Sequence, residues 1–358
     1  MAKDKAPKKE KESVDIVADY IKKEFGPGIM KNIKDIKDRK FDVVSVCPSV
    51  NGMLAGGIPT GVWVNVAGKP KCGKTTTILW TCAKAQAMGM DIYYLNVEHR
   101  LKPMNAANLE EIPIDEKRFH VIESTEDKIL SAQDFLKIGT HILNNKKRCV
   151  MVIDSLAALC PEKELLEGIG TFTRGGATQA VAQFCRMMTA VVPIRNHIVL
   201  TIQQIQANTS GYGAPTSVKG GNAITYQGDI IMRERGVADW KEDDKVIGQK
   251  VTWEVDCTAL GGFPGSKCVS SLRYGKGIDE LNEIFNLAKT LGLISGKQWI
   301  YFDFLEDYLE EIGETEWTEE VKDKYKANGE AKACQYLKDN PKIKELLEKV
   351  VLSVTKTS

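Results

Sequence analysis

GKPKCGKT, residues Gly68 to Thr75, stands between the apolar run Val62 to Ala67 and a helix-like run from Thr76 to Met88. Gly68 and Gly73 followed by Lys74 and Thr75, placed between a strand and a helix, form a phosphate-binding loop in its expected setting. The glycines permit a tight turn that wraps Lys69, Pro70, Lys71 and Cys72 around phosphate oxygens, with backbone N–H groups pointing inward. The helix that begins near Lys74 aims its positive dipole end at the same charge. Lys74 is placed for the β- and γ-phosphates, and Thr75 offers a hydroxyl to Mg²⁺, a hard cation that takes oxygen ligands and keeps several waters. Thr76 continues the loop into the first helical turn. These residues predict a nucleotide-binding protein.

On both sides of this loop, strand-like and helix-like runs alternate. Strands are expected at Val62 to Ala67, Ile92 to Val97, Phe119 to Ile122, Cys149 to Ile153 and Ile198 to Ile202, with helices at Thr76 to Met88, Ser131 to Asn144 and Thr178 to Arg195. Such alternation predicts an α/β fold with a mostly parallel sheet covered on both faces. Further strands at Asp229 to Arg235, Lys250 to Cys257 and Lys267 to Tyr274 suit antiparallel pairing at one edge. Upstream, Val14 to Phe25 carries apolar residues on one helical face and stops at Gly26-Pro27-Gly28. A Lys/Asp-rich connector, Lys31 to Lys40, follows it. The expected organisation is a basic disordered leader and separate helix over 1–40, a core over 41–279, and a small α-rich domain over 280–358.

The chain's 358 residues suffice for one large core and an appendage. A net charge of +1 supplies no overall field toward nucleic acid, so any DNA site must be local. Nine cysteines without a CxxC pair, several inside apolar runs, fit reduced thiols in a cytoplasmic protein. No run reaches membrane-spanning length, and no membrane partner is expected.

Three further strand ends carry candidate chemistry. CVMVIDS, Cys149 to Ser155, is an apolar strand that delivers Asp154 to the Mg²⁺ shell, partly through water. Glu98 ends YYLNVE at the same edge, as a general base for an attacking water or as a plain strand-end acid. Gln204, after the strand ending at Ile202, is either a γ-phosphate sensor or a polar loop start. Loops at 167–177 and 206–221, rich in Gly, Thr and Ser, are candidate binding loops. The second holds Asn208, Thr209, Ser210, Tyr212, Lys219, Gly220, Gly221 and Asn222, small donors and an aromatic suited to phosphates and bases of a single strand, or else a glycine-rich connector.

With these in place the chain resembles the bacterial-type RecA recombinase family over almost its whole length. IKKEFGPGIM, GGIPTG, the phosphate loop, VEHRLKP, VIDSLAALCP, QQI, GGNA and YGKGI follow in family order, and KANGEAKACQYLKDNP resembles its C-terminal domain. The resemblance implies a RecA-like P-loop core that uses ATP and Mg²⁺, forms a helical filament on single-stranded DNA, and exchanges strands with a homologous duplex. It implies Glu98, Lys74 and Gln204 as catalytic, and Tyr274 against the adenine. Arg174 and Arg186 would join the two loops in DNA binding. The N-terminal helix would dock on the neighbouring subunit. A nucleoid-associated location follows, with loader or single-strand-binding proteins as further partners.

The chain departs from the family at Lys102 and Asn105, where an Asp and a Tyr usually lie near the adenine. The two lysines that cross the subunit interface fall at Thr258 and Leu260. The acidic tail is absent; instead Asp303 to Glu320 packs nine acids without a Lys or Arg, as a solvated face or an internal substitute for that tail. Two rival readings remain: an ATP-gated filament that coats single strands with little hydrolysis, and a motor ATPase on the same core without strand exchange.

Overall fold

The computed structural model describes residues 8–101, 114–171, 175–207, 216–218, 224, 227–242, 244–259 and 261–357. The chain divides into two compact units, Met1–Asp42 and Val43–Ser358. In the first unit, helix α1 (Lys8–Phe25) begins within the stretch expected to be a disordered leader, and the charged connector contains a short helix, Ile33–Lys37. Asn32 and Asp35 cap that helix reciprocally, supplying acceptors for otherwise orphaned N–H groups.

The second unit is organised by a ten-stranded sheet. Its strands are β1 (Val62–Gly68), β2 (Asp91–Asn96), β3 (Phe119–Ile122), β4 (Cys149–Asp154), β5 (Ile198–Ala207), β6 (Thr216–Val218), β7 (Ile230–Glu242), β8 (Lys245–Cys257), β9 (Lys267–Arg273) and β10 (Gly277–Ile278). The order is β10-β9-β8-β7-β1-β5-β4-β2-β3, with β6 pairing β5. From β7 to β3 the main path is parallel; from β7 through β10 it is antiparallel.

Successive strand residues point to opposite faces, so each apolar strand feeds two cores. Val64, Tyr94, Val152 and Leu200 join a cluster beneath α2 (Lys74–Ala87), which contributes Ile78, Leu79 and Trp80. Trp63, Leu95, Ile153 and Val199 join the opposite cluster under α3 (Ala132–Asn145) and α4 (Thr178–Met188). A third apolar cluster gathers Phe285, Phe302, Leu337, Leu347 and their neighbours between Leu281 and Val351. Buried Glu283 links it to the sheet edge by accepting from Ser49 N, Ser270 Oγ and Ser271 N at 3.0, 2.6 and 3.0 Å.

Several expected boundaries change. The helix read through to Arg195 ends at Met188 and resumes as a short turn, Val191–Ile194, because Pro193 lacks the N–H needed to continue the ladder. Strand β5 runs on to Ala207 and pairs antiparallel with β6, so part of the 206–221 loop is a ladder joining Ala207 to Thr216. Glu167 closes the helix Glu162–Glu167, and the loop begins at Gly168, whose φ of 82° suits glycine. β7 and β8 extend far past Arg235 and before Lys250 into one long hairpin. In the acidic stretch Phe304 and Leu305 are buried, while Lys322 pairs with Asp303 at 3.1 Å and Lys324 with Glu314 at 2.9 Å.

Candidate nucleotide site

Parallel register brings the chemistry to one edge. Gly68 on β1 lies opposite Gln204 on β5, and Asn96 on β2 lies opposite Asp154 on β4. The carboxyl ends of parallel strands are where α/β folds open a crevice for ligands. Here they line a cavity of about 780 Å³ bounded by Pro70, Lys71, Gly73, Lys74, Thr75, Thr76, Glu98, Asp154, Gln204 and Tyr274 among others.

The loop's shape follows from its residues. Gly73 caps α2 with φ of 91°, and a Cβ there would meet Leu272 Cδ2 at 2.7 Å. Gly68 is closed in by Cys72 Sγ and Glu234, Cys72 itself is buried, and Lys69 and Lys71 are exposed. Lys74 is buried and its ammonium reaches back along the loop, donating to Gly68 O at 2.9 Å and Lys69 O at 2.6 Å. That position sets a positive charge among the N–H groups of a helix N-terminus, an arrangement that attracts phosphate.

Thr75 Oγ1 donates to Asp154 Oδ2 at 3.3 Å, and Tyr94 OH donates to the same oxygen at 2.5 Å. Burial pushes the Asp154 carboxyl above its ordinary range, and these two hydrogen bonds oppose the rise. Hydroxyl and carboxylate together suit Mg²⁺, which needs few protein ligands when phosphates and water supply the rest.

Glu98 follows β2 on a turn held at both ends. Its N–H donates to Asp154 O at 3.1 Å, and Leu101 N donates to Asn96 Oδ1 at 3.3 Å. Gln204 Nε2 donates to Glu98 Oε1 at 2.7 Å, Ser155 Oγ donates to the same oxygen, and Arg100 pairs with Oε2 at 3.0 Å. A carboxylate held this way at the wall of the cavity that Lys74 and Thr75 also line can orient a water and take its proton.

Sequence reasoning named Lys74, Thr75, Asp154, Glu98 and Gln204, and they converge. It passed over Tyr94, Ser155 and Arg100, although Arg100 sits inside the quoted VEHRLKP. Tyr274 is exposed at the cavity rim beside Arg273, whose guanidinium lies over Trp240 at 4.7 Å. Arg186 is exposed on α4 and does not line this cavity. Arg174, Asn208, Thr209, Ser210, Tyr212, Lys219, Gly220, Gly221 and Asn222 lie outside the described residues, as do Lys102, Asn105 and Leu260. Thr258 Oγ1 is buried without a hydrogen-bond partner among the described residues.

Fold and site define an α/β protein of the P-loop nucleotide-binding class. Residues 12–279 match the model of the RecA N-terminal domain, and the chain belongs to the RecA family. It is 28% identical to Protein RecA of Ruminococcus albus over 305 residues, covering 83% of this chain and 73% of that one. It is 26% identical to Protein RecA of a Sulfurovum species over 347 residues, covering 94% and 90%. Against Protein RecA of Thermotoga maritima the identity is 28% over 338 residues, covering 92% and 87%. The family is one of P-loop ATPases that bind DNA and act in recombination and repair. No described helix is long and apolar enough to cross a membrane.

Proposed function

We propose that the protein is an ATP-dependent recombinase that assembles as a helical filament on single-stranded DNA and exchanges strands with a homologous duplex. The observation that carries this reading is the course of β5. Gln204 contacts the candidate base Glu98, and the same strand continues through Ile205 and Ala207 into the ladder with β6, inside the second candidate DNA loop. A strand with one end at the nucleotide and the other in a DNA loop is a direct mechanical link between ATP and DNA.

In this reading Lys74 and the loop amides hold the β- and γ-phosphates, and Tyr274 covers the base. Thr75 and Asp154 hold Mg²⁺, which when bound neutralises phosphate charge. Glu98 takes a proton from the attacking water while Ser155 and Gln204 fix its orientation. Arg174, Arg186 and the residues from Asn208 to Asn222 named above contact the single strand. Exposed Ile16, Val17, Tyr20 and Phe25 form the face of α1 that seats on a neighbouring subunit, and 280–358 acts as a small C-terminal domain.

Hydrolysis measured with and without single-stranded DNA, followed by strand exchange with a homologous duplex, tests the proposal. Wild type should pass both; Lys74→Ala should lose turnover; Glu98→Gln should keep ATP binding while turnover falls by about 10²–10⁴-fold. A Glu98→Gln variant that turns over like wild type removes the base assignment. The coating filament is the second reading, favoured by Thr258 and Leu260 where interface lysines would stand. It predicts filaments visible by electron microscopy with ATP and single strands, but little hydrolysis with or without the single strand.

A further inference from the structure

The turn after β2 presents Glu98 and Arg100 side by side. Asn96 ties the turn down by accepting from Leu101 N at 3.3 Å and donating to Glu123 Oε2 at 2.6 Å. Between them His99 adopts a left-handed conformation, φ 51°, and its N–H donates to Asn96 O at 3.3 Å. The backbone beneath Arg100 is therefore fixed, whereas its side chain is 70% exposed beside a Glu98 side chain that is only 9% exposed. Arg100 lines the same cavity as Lys74, Thr75 and Asp154, and also a smaller one of about 280 Å³ shared with Gln204.

We propose that Arg100 is a catalytic cation supplied in cis, which passes from Glu98 to the γ-phosphate oxygens as the transferred phosphoryl group gains charge. The proposal rests on reading the cavity as a site of ATP hydrolysis. A guanidinium presents a planar fork of donors, and a phosphoryl group with several charged oxygens competes for it against the Glu98 carboxylate. Its departure frees Glu98 Oε2, while Gln204 and Ser155 still hold Oε1 and keep the carboxylate aimed. The water oxygen then bonds to the γ-phosphorus as its proton passes to Oε2. The bond from that phosphorus to the bridging oxygen breaks, and its electron pair stays on ADP. Arg100 stabilises the transferring oxygens throughout, so the chain contributes this charge within its own site.

Turnover of ATP and binding of ADP, alone and with aluminium fluoride in the place of the transferred group, test the idea in wild type, Arg100→Ala and Arg100→Lys. Arg100→Ala should cut kcat by about a hundredfold or more. Its affinity for ADP alone should stay close to wild type, and the tightening by aluminium fluoride should be lost. Arg100→Lys should recover part of both effects, since it keeps the charge without the fork. Turnover of Arg100→Ala close to wild type overturns the proposal. So does a fall in kcat with the aluminium fluoride effect intact, which would make Arg100 an anchor for Glu98. A wild type that binds nucleotide without hydrolysing it refutes the hydrolytic reading instead, and the aluminium fluoride comparison still decides Arg100.

Discussion

Every residue of β4 from Cys149 to Asp154 is buried, whereas β7 on the other side of β1 is buried at its start and largely exposed or half-buried from Glu234 outward apart from Glu234 itself and Trp240. The two strands belong to one sheet but are held differently. Parallel strands are sandwiched by helices and apolar clusters on both faces. The long antiparallel hairpin is held by its ladder and by charged pairs across it: Arg233 with Asp256 at 2.8 Å, Arg235 with Glu254 at 2.8 Å, and Lys267 with Glu254 at 3.1 Å. The rigid half carries the catalytic edge, and the hairpin supports the cavity rim through Gln249, which donates to Lys71 O at 3.3 Å.

Truncation should break the symmetry of the sheet first. Ile153→Ala, at a fully buried position, should cost about 2–5 kcal/mol in denaturant unfolding. Val246→Ala on the hairpin, 44% exposed, should stay within about 0.5 kcal/mol. Equal losses at both sites would mean that the hairpin is as much a part of the core as β4.

A polar contact inside the rigid half offers the next test. Tyr94→Phe removes the hydroxyl that donates to Asp154 and leaves a buried carboxylate short of a donor, a cost of about 1–3 kcal/mol. In hydrolysis assays the variant should need more Mg²⁺ for half-maximal rate while ADP affinity changes little. An unmoved Mg²⁺ dependence would make Tyr94 a core residue only.

His197, also in that half, accepts from Cys149 N at 3.2 Å and donates through Nε2 to Leu143 O at 3.0 Å, which fits the neutral ring. Burial holds its pKa below the ordinary 6.5. The unfolded chain therefore binds the proton more readily than the folded one. Stability from this site is present in full above pH 6.5 and is lost as pH falls through the folded value, with a slope of at most about 1.4 kcal/mol per pH unit. His197→Gln should flatten that part of the stability curve, and an unchanged slope would remove His197 from it.

The smallest effect belongs to the hairpin surface. Arg235→Ala should change stability by about 0–1 kcal/mol, because its partners Glu254 and Asp256 are met at a solvent-exposed guanidinium. A larger loss would show that the charged ladder, and not the backbone pairing, holds the hairpin.

Much of the catalytic edge was legible in the chain because its signals are local. Gly68, Gly73, Lys74 and Thr75 are fixed by spacing, and runs such as Cys149 to Ile153 announce strands buried on both faces. The hairpin from Ile230 to Cys257 was legible only at its ends. Its stretch GVADWKE, Gly236 to Glu242, is largely polar, and it becomes strand through cross-strand pairs and the stacking of Lys250 and Arg273 on Trp240.

The phosphate loop, the alternation of strands and helices and the strand-end acids can all be read along the chain, since each depends on neighbours within a few residues. Which groups meet them depends on the folded arrangement. Parallel register sets Asn96 opposite Asp154 and Gly68 opposite Gln204, and thereby gathers Tyr94, Ser155 and Gln204 around two carboxylates at the ends of separate strands. Those contacts span tens of residues, and only strand pairing brings their partners within hydrogen-bonding distance.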